Sequence, residues 1–321
     1  MHRRYEPQYQ LIKFFLKIFS AVPRSAIMKL AVPVGKIWYG LDRRHRAIAY
    51  ENLRIAFGEE MDRQALNRLI QANFIQLARL FLEIPSLMRL RRENLDRYVV
   101  FSGLQHIEKR MSAGKGMLLL TAHLGNWELM ALAWALKSGK SCHVIARPLD
   151  YAPVNRIMNE IRSATGNRVV DKDDSQALIR QLLQENQAVG ILLDQNASWY
   201  EGVYVPFFSR LACTNKGLAL FALRYGTPIL PVFNYPLADG RYRIVIEPPL
   251  ELIRTGDIGE DVLVNTERFN RVIEKYIRLS PESWFWVHRR WRIIDIPEGP
   301  HRKKFEEAKV RYGFSGGEGR G

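Results

Sequence analysis

Short apolar runs alternate with amphipathic stretches along most of the chain, and the two patterns predict strands and helices respectively. The predicted strands cover residues 98–101, 116–121, 142–146, 168–170, 188–193, 228–233 and 241–247. The predicted helices between and after them cover residues 104–113, 126–138, 151–164, 174–186, 214–225 and 261–279. This alternation predicts an α/β fold with a mostly parallel central sheet flanked by helices on both faces.

The first 46 residues combine apolar and basic side chains. Two apolar stretches, 11–19 and 27–41, are interrupted by lysines, and neither is an unbroken apolar run of the roughly 18–20 residues that span a bilayer. Lys13 and Lys17 lie one helical turn apart, so they share a face and can reach lipid phosphates. We predict that residues 1–46 form a membrane-associated amphipathic segment. A tilted single span and a helix packed on the domain are the alternatives.

The remaining chain is predicted to be one domain and a tail. Residues 47–300 form the α/β domain together with its N-terminal helices, of which residues 62–84 are the clearest amphipathic helix, ended by Pro85. Beyond residue 300 the chain is charged and then rich in glycine. Residues 301–321 are therefore predicted to be a disordered tail.

Composition narrows the possible partners. Lys and Arg number 48 against 33 Asp and Glu, a formal net charge of +15, which favours anionic partners such as lipid headgroups, nucleic acid or an acidic protein. No nucleic-acid-binding module is recognisable, so nucleic acid is not expected as a partner. Neither a G-x-G-x-x-G fingerprint nor a Walker loop occurs, which disfavours nucleotide cofactors. Cys142 and Cys213 are expected to be reduced core residues.

A histidine stands just beyond the predicted strand 116–121, and a helix is expected to begin just after it. Catalytic groups of open α/β sheets gather at the carboxyl ends of strands. We expect the turn to fold back so that Glu128 accepts a hydrogen bond from one imidazole nitrogen of His123, and the other nitrogen takes a proton from a hydroxyl. A purely structural role for the pair is the alternative. A zinc site is disfavoured because His123 has no second histidine one helical turn away.

These residues, His-Leu-Gly-Asn-Trp-Glu from 123 to 128, resemble the first motif of the glycerolipid and lipid A acyltransferase superfamily. Further blocks resemble that superfamily in order along the chain. They are Arg147-Pro148 with Arg162 and Gly166, Asp194-Gln195, Val205-Pro206-Phe207-Phe208 with Ala212 and Thr214, Pro228-Ile229-Leu230-Pro231, and the closing segment 284–291. Within the superfamily the chain is similar to the late acyltransferases of bacterial lipid A synthesis, the lauroyl and myristoyl transferase branch, over residues 10–295.

The resemblance implies a membrane-associated O-acyltransferase that moves a fatty acyl chain from an acyl carrier protein thioester to a hydroxyl of a lipid A precursor. His123 would be the general base and Glu128 would orient it. The implied substrate-binding residues are Arg147, Arg162, Asp194, Gln195, Pro206, Phe207, Thr214, Arg289 and Arg290. No metal or other cofactor is implied. The partners would be acyl carrier protein, a phosphorylated glycolipid acceptor and the membrane surface, with the active site at the inner membrane facing the cytoplasm.

Several local alternatives stay open at this point. The aromatic residues between 199 and 208 are interpreted as a loop that packs on the protein, forms an apolar wall for an acyl chain, or dips into a membrane. Thr214 could simply cap its helix, and Asp194 could form a plain salt bridge with an arginine. The Trp- and Arg-rich segment 284–292 either faces a membrane or phosphosugar, or packs its indoles inside the protein.

Two other functions also remain. One is an acyltransferase of the same superfamily that acts on another lipid, such as a lysophospholipid, a glycolipid or an amino-acid lipid. The other is a non-enzymatic basic protein that binds membranes or nucleic acid.

Overall fold

The computed structural model describes residues 5–112, 114, 116–146, 148–171, 175–208, 210–292 and 299–314. Its strands are β1 (Val99–Ser102), β2 (Met117–Thr121), β3 (Cys142–Ala146), β4 (Val169–Asp171), β5 (Ala188–Leu192), β6 (Gly202–Phe207), β7 (Arg210–Asn215), β8 (Ile229–Pro236) and β9 (Tyr242–Ile246). Helices α1 (Glu6–Phe19), α2 (Arg24–Leu41), α3 (Arg43–Phe57) and α4 (Arg63–Leu87) precede the sheet. The later helices are α5 (Leu104–Ser112), α6 (Trp127–Ser138), α7 (Ala152–Ser163), α8 (Ser175–Gln184), α9 (Gly217–Tyr225), α10 (Ile258–Leu279) and α11 (Pro300–Arg311).

Within the described part of the chain, seven strands form one sheet in the order β1-β9-β8-β2-β5-β3-β4. Every pair in it is parallel except β8 with β9, so the predicted mostly parallel sheet is confirmed. The central strand β2 is buried along its whole length. Leu118 and Leu120 point into one hydrophobic cluster, and Met117 and Leu119 point into another. Successive side chains of a strand face opposite ways, so the two clusters lie on opposite faces of the sheet. Helices therefore cover both faces.

The segment expected to be an aromatic loop is instead the antiparallel hairpin of β6 and β7. Tyr204 and Phe207 lie in β6 and are buried, so they belong to the interior and not to a solvent-facing wall. Thr214 lies in β7, and α9 begins only at Gly217. The expected helix-capping role of Thr214 is therefore wrong. Strand β6 was not predicted from the sequence because it contains Pro206, and proline is rare inside strands.

The structure also differs from the prediction in the C-terminal segment and at the end of α4. Residues 301–311, expected to be part of a disordered tail, lie in helix α11, which buries Phe305 and Ala308. The Phe305 ring packs edge-on against Tyr204 at 4.9 Å, so the hairpin provides the surface that orders this helix. Pro85 does not end α4 but lies inside its last turns.

None of the helices in the described residues is both long and apolar enough to cross a bilayer. Helix α1 packs one face on α7. There Lys13 donates to Glu160 at 2.7 Å and to Tyr9 at 2.6 Å, so its ammonium group is paired within the protein. The opposite face of α1 leaves Leu11, Phe14, Phe15, Ile18 and Phe19 exposed. Association of this segment with a membrane stays a prediction.

Candidate active site

The turn after β2 brings His123 next to Asp194. Strand β2 pairs in parallel with β5, with Thr121 opposite Leu192, and the Leu193 N–H donates to the Thr121 carbonyl at 3.0 Å. His123 and Asp194 each lie two residues beyond these paired positions. They therefore meet side by side at the carboxyl edge of the sheet, where α/β proteins build their sites.

Asp194 holds the histidine through two hydrogen bonds. The imidazole Nδ1 lies 2.9 Å from Oδ1 of Asp194, and the His123 backbone N–H donates to Oδ2 at 3.1 Å. The indole Nε1 of Trp284 also donates to Oδ2, at 2.7 Å. Burial of Asp194 acts to raise its pKa, but the charge and hydrogen bonds of His123 and the bond from Trp284 hold the pKa below its usual value. Asp194 is therefore a carboxylate, and Nδ1 carries the proton that it accepts.

The other ring nitrogen of His123 is open. Nε2 has no hydrogen-bond partner among the described residues, and 21% of the side chain is exposed. Trp127 and Phe285 flank the imidazole, with ring centroids at 5.0 and 6.1 Å. With Nδ1–H held by Asp194, Nε2 presents a lone pair at a partly exposed, aromatic-lined opening. Such a nitrogen can remove a proton from a bound hydroxyl.

The backbone of the turn is fixed by close contacts. Gly125 has φ +62°, and a Cβ at this position would meet Asn234 Oδ1 at 2.1 Å, so only glycine fits. Asn126 caps α6 by accepting from the Leu129 N–H at 3.0 Å. Its own N–H donates to Asn234 Oδ1 at 2.7 Å. The turn that carries His123 is thus locked to β8 on one side and to α6 on the other.

A buried carboxylate ties this turn to the N-terminal helices. Glu83 near the end of α4 is 2% exposed and accepts from Asn126 at 2.9 Å and from Tyr242 at 2.8 Å. It also accepts from Arg79 at 3.1 Å and Arg24 at 3.3 Å. Two guanidinium groups and two neutral donors thus pair with one carboxylate, so its buried charge is compensated.

Glu128 does not contact His123, which corrects the predicted pair. Its carboxylate accepts two hydrogen bonds from Arg162 of α7, at 2.8 Å from Nε and 2.6 Å from Nη2. Glu128 lies in the first turn of α6 and its side chain is directed towards α7, where the planar guanidinium offers a bidentate partner. Asp194, reached through the β2–β5 pairing, occupies the place beside the imidazole that the sequence had assigned to Glu128.

Comparison with known proteins places the chain in a family. The model of the bacterial lipid A biosynthesis acyltransferase family matches residues 2–293, which is most of the chain. The chain belongs to this family. It is therefore an acyltransferase.

Relatives of this acyltransferase carry different substrate names. A lipid A biosynthesis lauroyltransferase of Escherichia coli K12 is 24% identical, over 87% of this chain and 88% of its own length. A lipid A biosynthesis palmitoleoyltransferase of the same strain is 22% identical, over 91% and 94%. A phosphatidylinositol mannoside acyltransferase of Mycolicibacterium smegmatis is 24% identical, over 72% and 74%. All three names describe acyl transfer onto a lipid.

Three of the predicted substrate-binding residues of the acyltransferase lie inside the protein. Arg290 is fully buried and donates to the Cys213 carbonyl at 2.7 Å and to Thr214 Oγ1 at 2.6 Å. Its guanidinium also lies 4.7 Å from the ring centre of the fully buried Phe207. Burial lowers the pKa of Arg290 to about 10. The predicted contacts of Arg290, Thr214 and Phe207 with substrate are wrong in this structure, because all three are enclosed by protein.

The other predicted binding residues have different surroundings. Gln195 follows Asp194 and is partly exposed, and Arg289 is exposed. Pro206 is partly buried in β6, where its carbonyl accepts from Asn270 at 2.8 Å. Asp194, expected to bind substrate or to form a salt bridge with an arginine, instead binds His123 and Trp284. Arg147 lies outside the described residues.

Sequence reasoning assigned no role to two buried asparagines of the N-terminal helices. Asn52 donates to the carbonyls of Trp286 and His288, both at 2.6 Å. Asn73 donates to the carbonyls of Glu282 at 2.8 Å and Trp284 at 2.6 Å. They clamp the backbone of the segment that brings Trp284 to Asp194. The sequence did contain one signal, an amide side chain on a helix face that is otherwise apolar. Asn73 stands among Ile70, Phe74 and Leu77 in this way.

The segment 284–292 therefore packs its indoles inside the protein, the second of the two expected outcomes. Trp284, Trp286 and Trp291 are all buried. Next to them, His288 accepts from the Asn196 N–H at Nε2, at 3.1 Å. Burial lowers the pKa of His288 to about 4, so this histidine is uncharged near neutral pH. Among the described residues, no group of three or more His, Cys, Asp or Glu side chains is arranged to hold a metal ion.

Proposed function

We propose that this acyltransferase moves a fatty acyl chain from an acyl carrier protein thioester to a hydroxyl of a lipid A precursor, with His123 as the general base. The observation that carries the proposal is the pairing of Nδ1 with Asp194, which leaves Nε2 as a proton acceptor at a partly exposed opening. Membership of the lipid A biosynthesis family supports the choice of acceptor.

The reaction needs one proton transfer in each direction. Nε2 takes the proton of the acceptor hydroxyl while the oxygen attacks the thioester carbonyl carbon, giving a tetrahedral oxyanion. The oxyanion collapses, the C–S bond breaks, and the leaving thiolate takes the proton back from the imidazolium. The Asp194 carboxylate stabilises the imidazolium and keeps the proton of Nδ1 in place. The enzyme forms no covalent acyl intermediate in this scheme.

Glu128 has a different role in this proposal from the one that the motif suggested. Its bidentate bond with Arg162 joins α7 to the first turn of α6. This helix begins directly after the turn that contains His123. Arg289 and Gln195 remain candidates for the polar part of the acceptor, because both are at least partly exposed close to the site in sequence. Trp127 and Phe285 would contact the acyl chain or the lipid beside His123.

The charge of the protein supports acyl carrier protein as the donor. Carrier proteins of this kind are strongly acidic, and a formal net charge of +15 would attract them at long range. The same charge would attract the phosphates of a glycolipid acceptor. No metal or organic cofactor takes part in the proposed steps.

We further propose that the enzyme lies on the inner membrane, with its site facing the cytoplasm, through the apolar face of α1. Leu11, Phe14, Phe15, Ile18 and Phe19 follow the i, i+3, i+4, i+7, i+8 spacing of one helix face, and each is 49–59% exposed. Exposed apolar residues in such a group are unusual unless they contact a partner. The neighbouring α2 adds Leu30, Ile37 and Leu41, also exposed, and exposed lysines.

Replacing Phe14 and Phe15 together by serine is expected to weaken binding to phosphatidylethanolamine/phosphatidylglycerol vesicles at least about tenfold. Each ring contributes on the order of 1 kcal/mol or more when it leaves water for the bilayer. Vesicle flotation with wild type and variant measures the partition coefficient. The matched control is Leu279→Ser, which removes an apolar side chain that is 61% exposed on α10. Equal partitioning of wild type and double variant would contradict the assignment of this face.

The proposed reaction is tested with the purified 321-residue protein in vesicles, radiolabelled acyl chain on acyl carrier protein, and three separate acceptors. These are a phosphorylated lipid A precursor, a lysophospholipid and a phosphatidylinositol mannoside. We expect label on the lipid A precursor at a rate at least about 100-fold above an enzyme-free control, a lower bound for acid–base catalysis. Transfer to only one of the other lipids would show that the acceptor is wrong. Transfer from acyl-coenzyme A but not from the carrier protein would show that the donor is wrong.

A further inference from the structure

Three indole N–H groups of the segment 284–292 are engaged in the interior, and one of them differs from the others. Trp286 donates to the Pro281 carbonyl at 2.6 Å and Trp291 to the Phe207 carbonyl at 3.1 Å. Trp284 donates to Oδ2 of Asp194 at 2.7 Å. Only this third bond, among the three, ends on a carboxylate that in turn holds the imidazole of His123.

The hydrogen bonds of Asp194 are divided between its two oxygens. Oδ1 accepts from the imidazole, while Oδ2 accepts from the His123 backbone N–H and from the Trp284 indole. Two donors on Oδ2 define the plane of the carboxylate, so Oδ1 is left facing Nδ1. Asp194 is 1% exposed and Trp284 is 1% exposed, so water does not replace the indole N–H in this position.

Trp284 is itself held firmly from both sides. Its carbonyl accepts from Asn73 at 2.6 Å, and its backbone forms a bridge with Leu124 in the catalytic turn. The next residue, Phe285, donates its N–H to the His123 carbonyl at 3.1 Å. The indole therefore approaches Asp194 from a backbone that is joined to the turn of His123 and to α4.

We propose that Trp284 is a positioning residue of the acyl transfer reaction. Its indole N–H fixes the orientation of the Asp194 carboxylate, and this carboxylate in turn orients His123. This role rests on the proposed function of His123 as the general base. Trp284 touches neither the reacting hydroxyl nor the thioester in this proposal. It acts through Asp194 alone.

The bond from Trp284 also has an electrostatic consequence. It is one of the interactions that keep the pKa of Asp194 below its usual value against the effect of burial. Without the hydrogen bond from Trp284, the negative charge of the Asp194 carboxylate is less stabilised. The carboxylate then holds a proton more tightly, either on its own oxygen or on the paired imidazole. Among the described residues, His288 and Arg290 of the same segment also interact electrostatically with Asp194.

The test compares Trp284→Phe with Trp291→Phe and Trp286→Phe, because each variant loses one engaged indole N–H and keeps an aromatic ring. In Trp284→Phe we expect kcat to fall roughly 10- to 100-fold, the effect of losing a hydrogen bond to a charged group. We expect the acid limb of its pH–activity profile to move up by about one pH unit. In the two control variants the limb stays where wild type has it. An unmoved limb in Trp284→Phe would overturn the proposal, since a packing defect alone lowers activity without changing the titration.

A second variant tests the proposal in case Trp284→Phe does not fold. Benzothienylalanine, placed at position 284 through a reassigned codon, keeps the shape of tryptophan and replaces the N–H by sulfur. Its acid limb is expected to move as in Trp284→Phe. Normal thermal stability with an unmoved limb would overturn the proposal in the same way.

A readout without turnover separates this proposal from the proposed function. The imidazole resonances of His123, assigned with His123→Ala in histidine-labelled protein, are followed by NMR against pH in the absence of substrate. A midpoint about one pH unit higher in Trp284→Phe than in wild type supports the positioning role, even if wild type transfers no acyl group. An unchanged midpoint overturns it, even if acyl transfer is observed.

Discussion

Replacing His123 by alanine is expected to lower the rate of acyl transfer by roughly 10²–10⁴-fold. The substitution removes Nε2, the nitrogen proposed to take the hydroxyl proton, while the aromatic pair of Trp127 and Phe285 remains to contact the substrates. Single-turnover transfer from labelled acyl carrier protein to the lipid A precursor measures the chemical step directly. Binding of the carrier protein and partitioning into vesicles should stay at wild-type values.

The matched control for this variant is His106→Ala, which removes a histidine from α5, the helix that follows the edge strand β1. It is expected to transfer at the wild-type rate. If His123→Ala also transferred at the wild-type rate, His123 would not be the base, and the pairing with Asp194 would be structural. If the variant lost vesicle binding or thermal stability to the same extent as activity, the rate loss would not report on catalysis.

The second large effect concerns the choice between two carboxylates. Asp194→Asn is expected to lower kcat by roughly 10³–10⁴-fold with an unchanged fold. Two N–H donors meet Oδ2, so the amide oxygen of the variant takes that place and its NH₂ group faces Nδ1. Nδ1 must then accept, the ring proton moves to Nε2, and Nε2 can no longer act as a base.

Glu128→Gln is the isosteric counterpart and should behave in the opposite way. It leaves the guanidinium of Arg162 without a charged partner in a site where the two side chains are only 19% and 10% exposed. We expect a loss of about 1–3 kcal/mol in the free energy of unfolding and at most about a tenfold fall in kcat. Chemical denaturation and steady-state kinetics on both variants separate the two effects. A larger loss of kcat in Glu128→Gln than in Asp194→Asn would restore Glu128 as the partner of His123.

Local patterns predicted most of the elements around the site. The predicted strand 116–121 and the structure's Met117–Thr121 differ by one residue, and Gly139 ends α6 in a left-handed conformation as expected of a helix stop. These features depend on neighbouring residues alone, since burial on both faces of a strand and helix capping are written in short segments.

Elements that depend on a distant partner were missed. The hairpin of β6 and β7 contains a proline and alternates poorly, and its interior aromatics are covered by α10 and α11 and by Trp291. Helix α11 is charged and has little apolar periodicity of its own, and its Phe305 is buried against Tyr204 of the hairpin. Arg290 resembled a phosphate ligand in sequence, because nothing near it in the chain reveals that Thr214 and the Cys213 carbonyl will surround it.

The sequence by itself determined the family resemblance, the mostly parallel sheet, and the position of His123 just after a buried strand. It also placed Asp194 just after another strand. Only the tertiary structure decided that β5 is the neighbour of β2 in the sheet, which puts Asp194 and not Glu128 at Nδ1 of His123. It also decided that Trp284, ninety residues after Asp194 in the chain, donates a hydrogen bond to the Asp194 carboxylate. Strand order is a property of long-range packing, and no spacing within a motif encodes it.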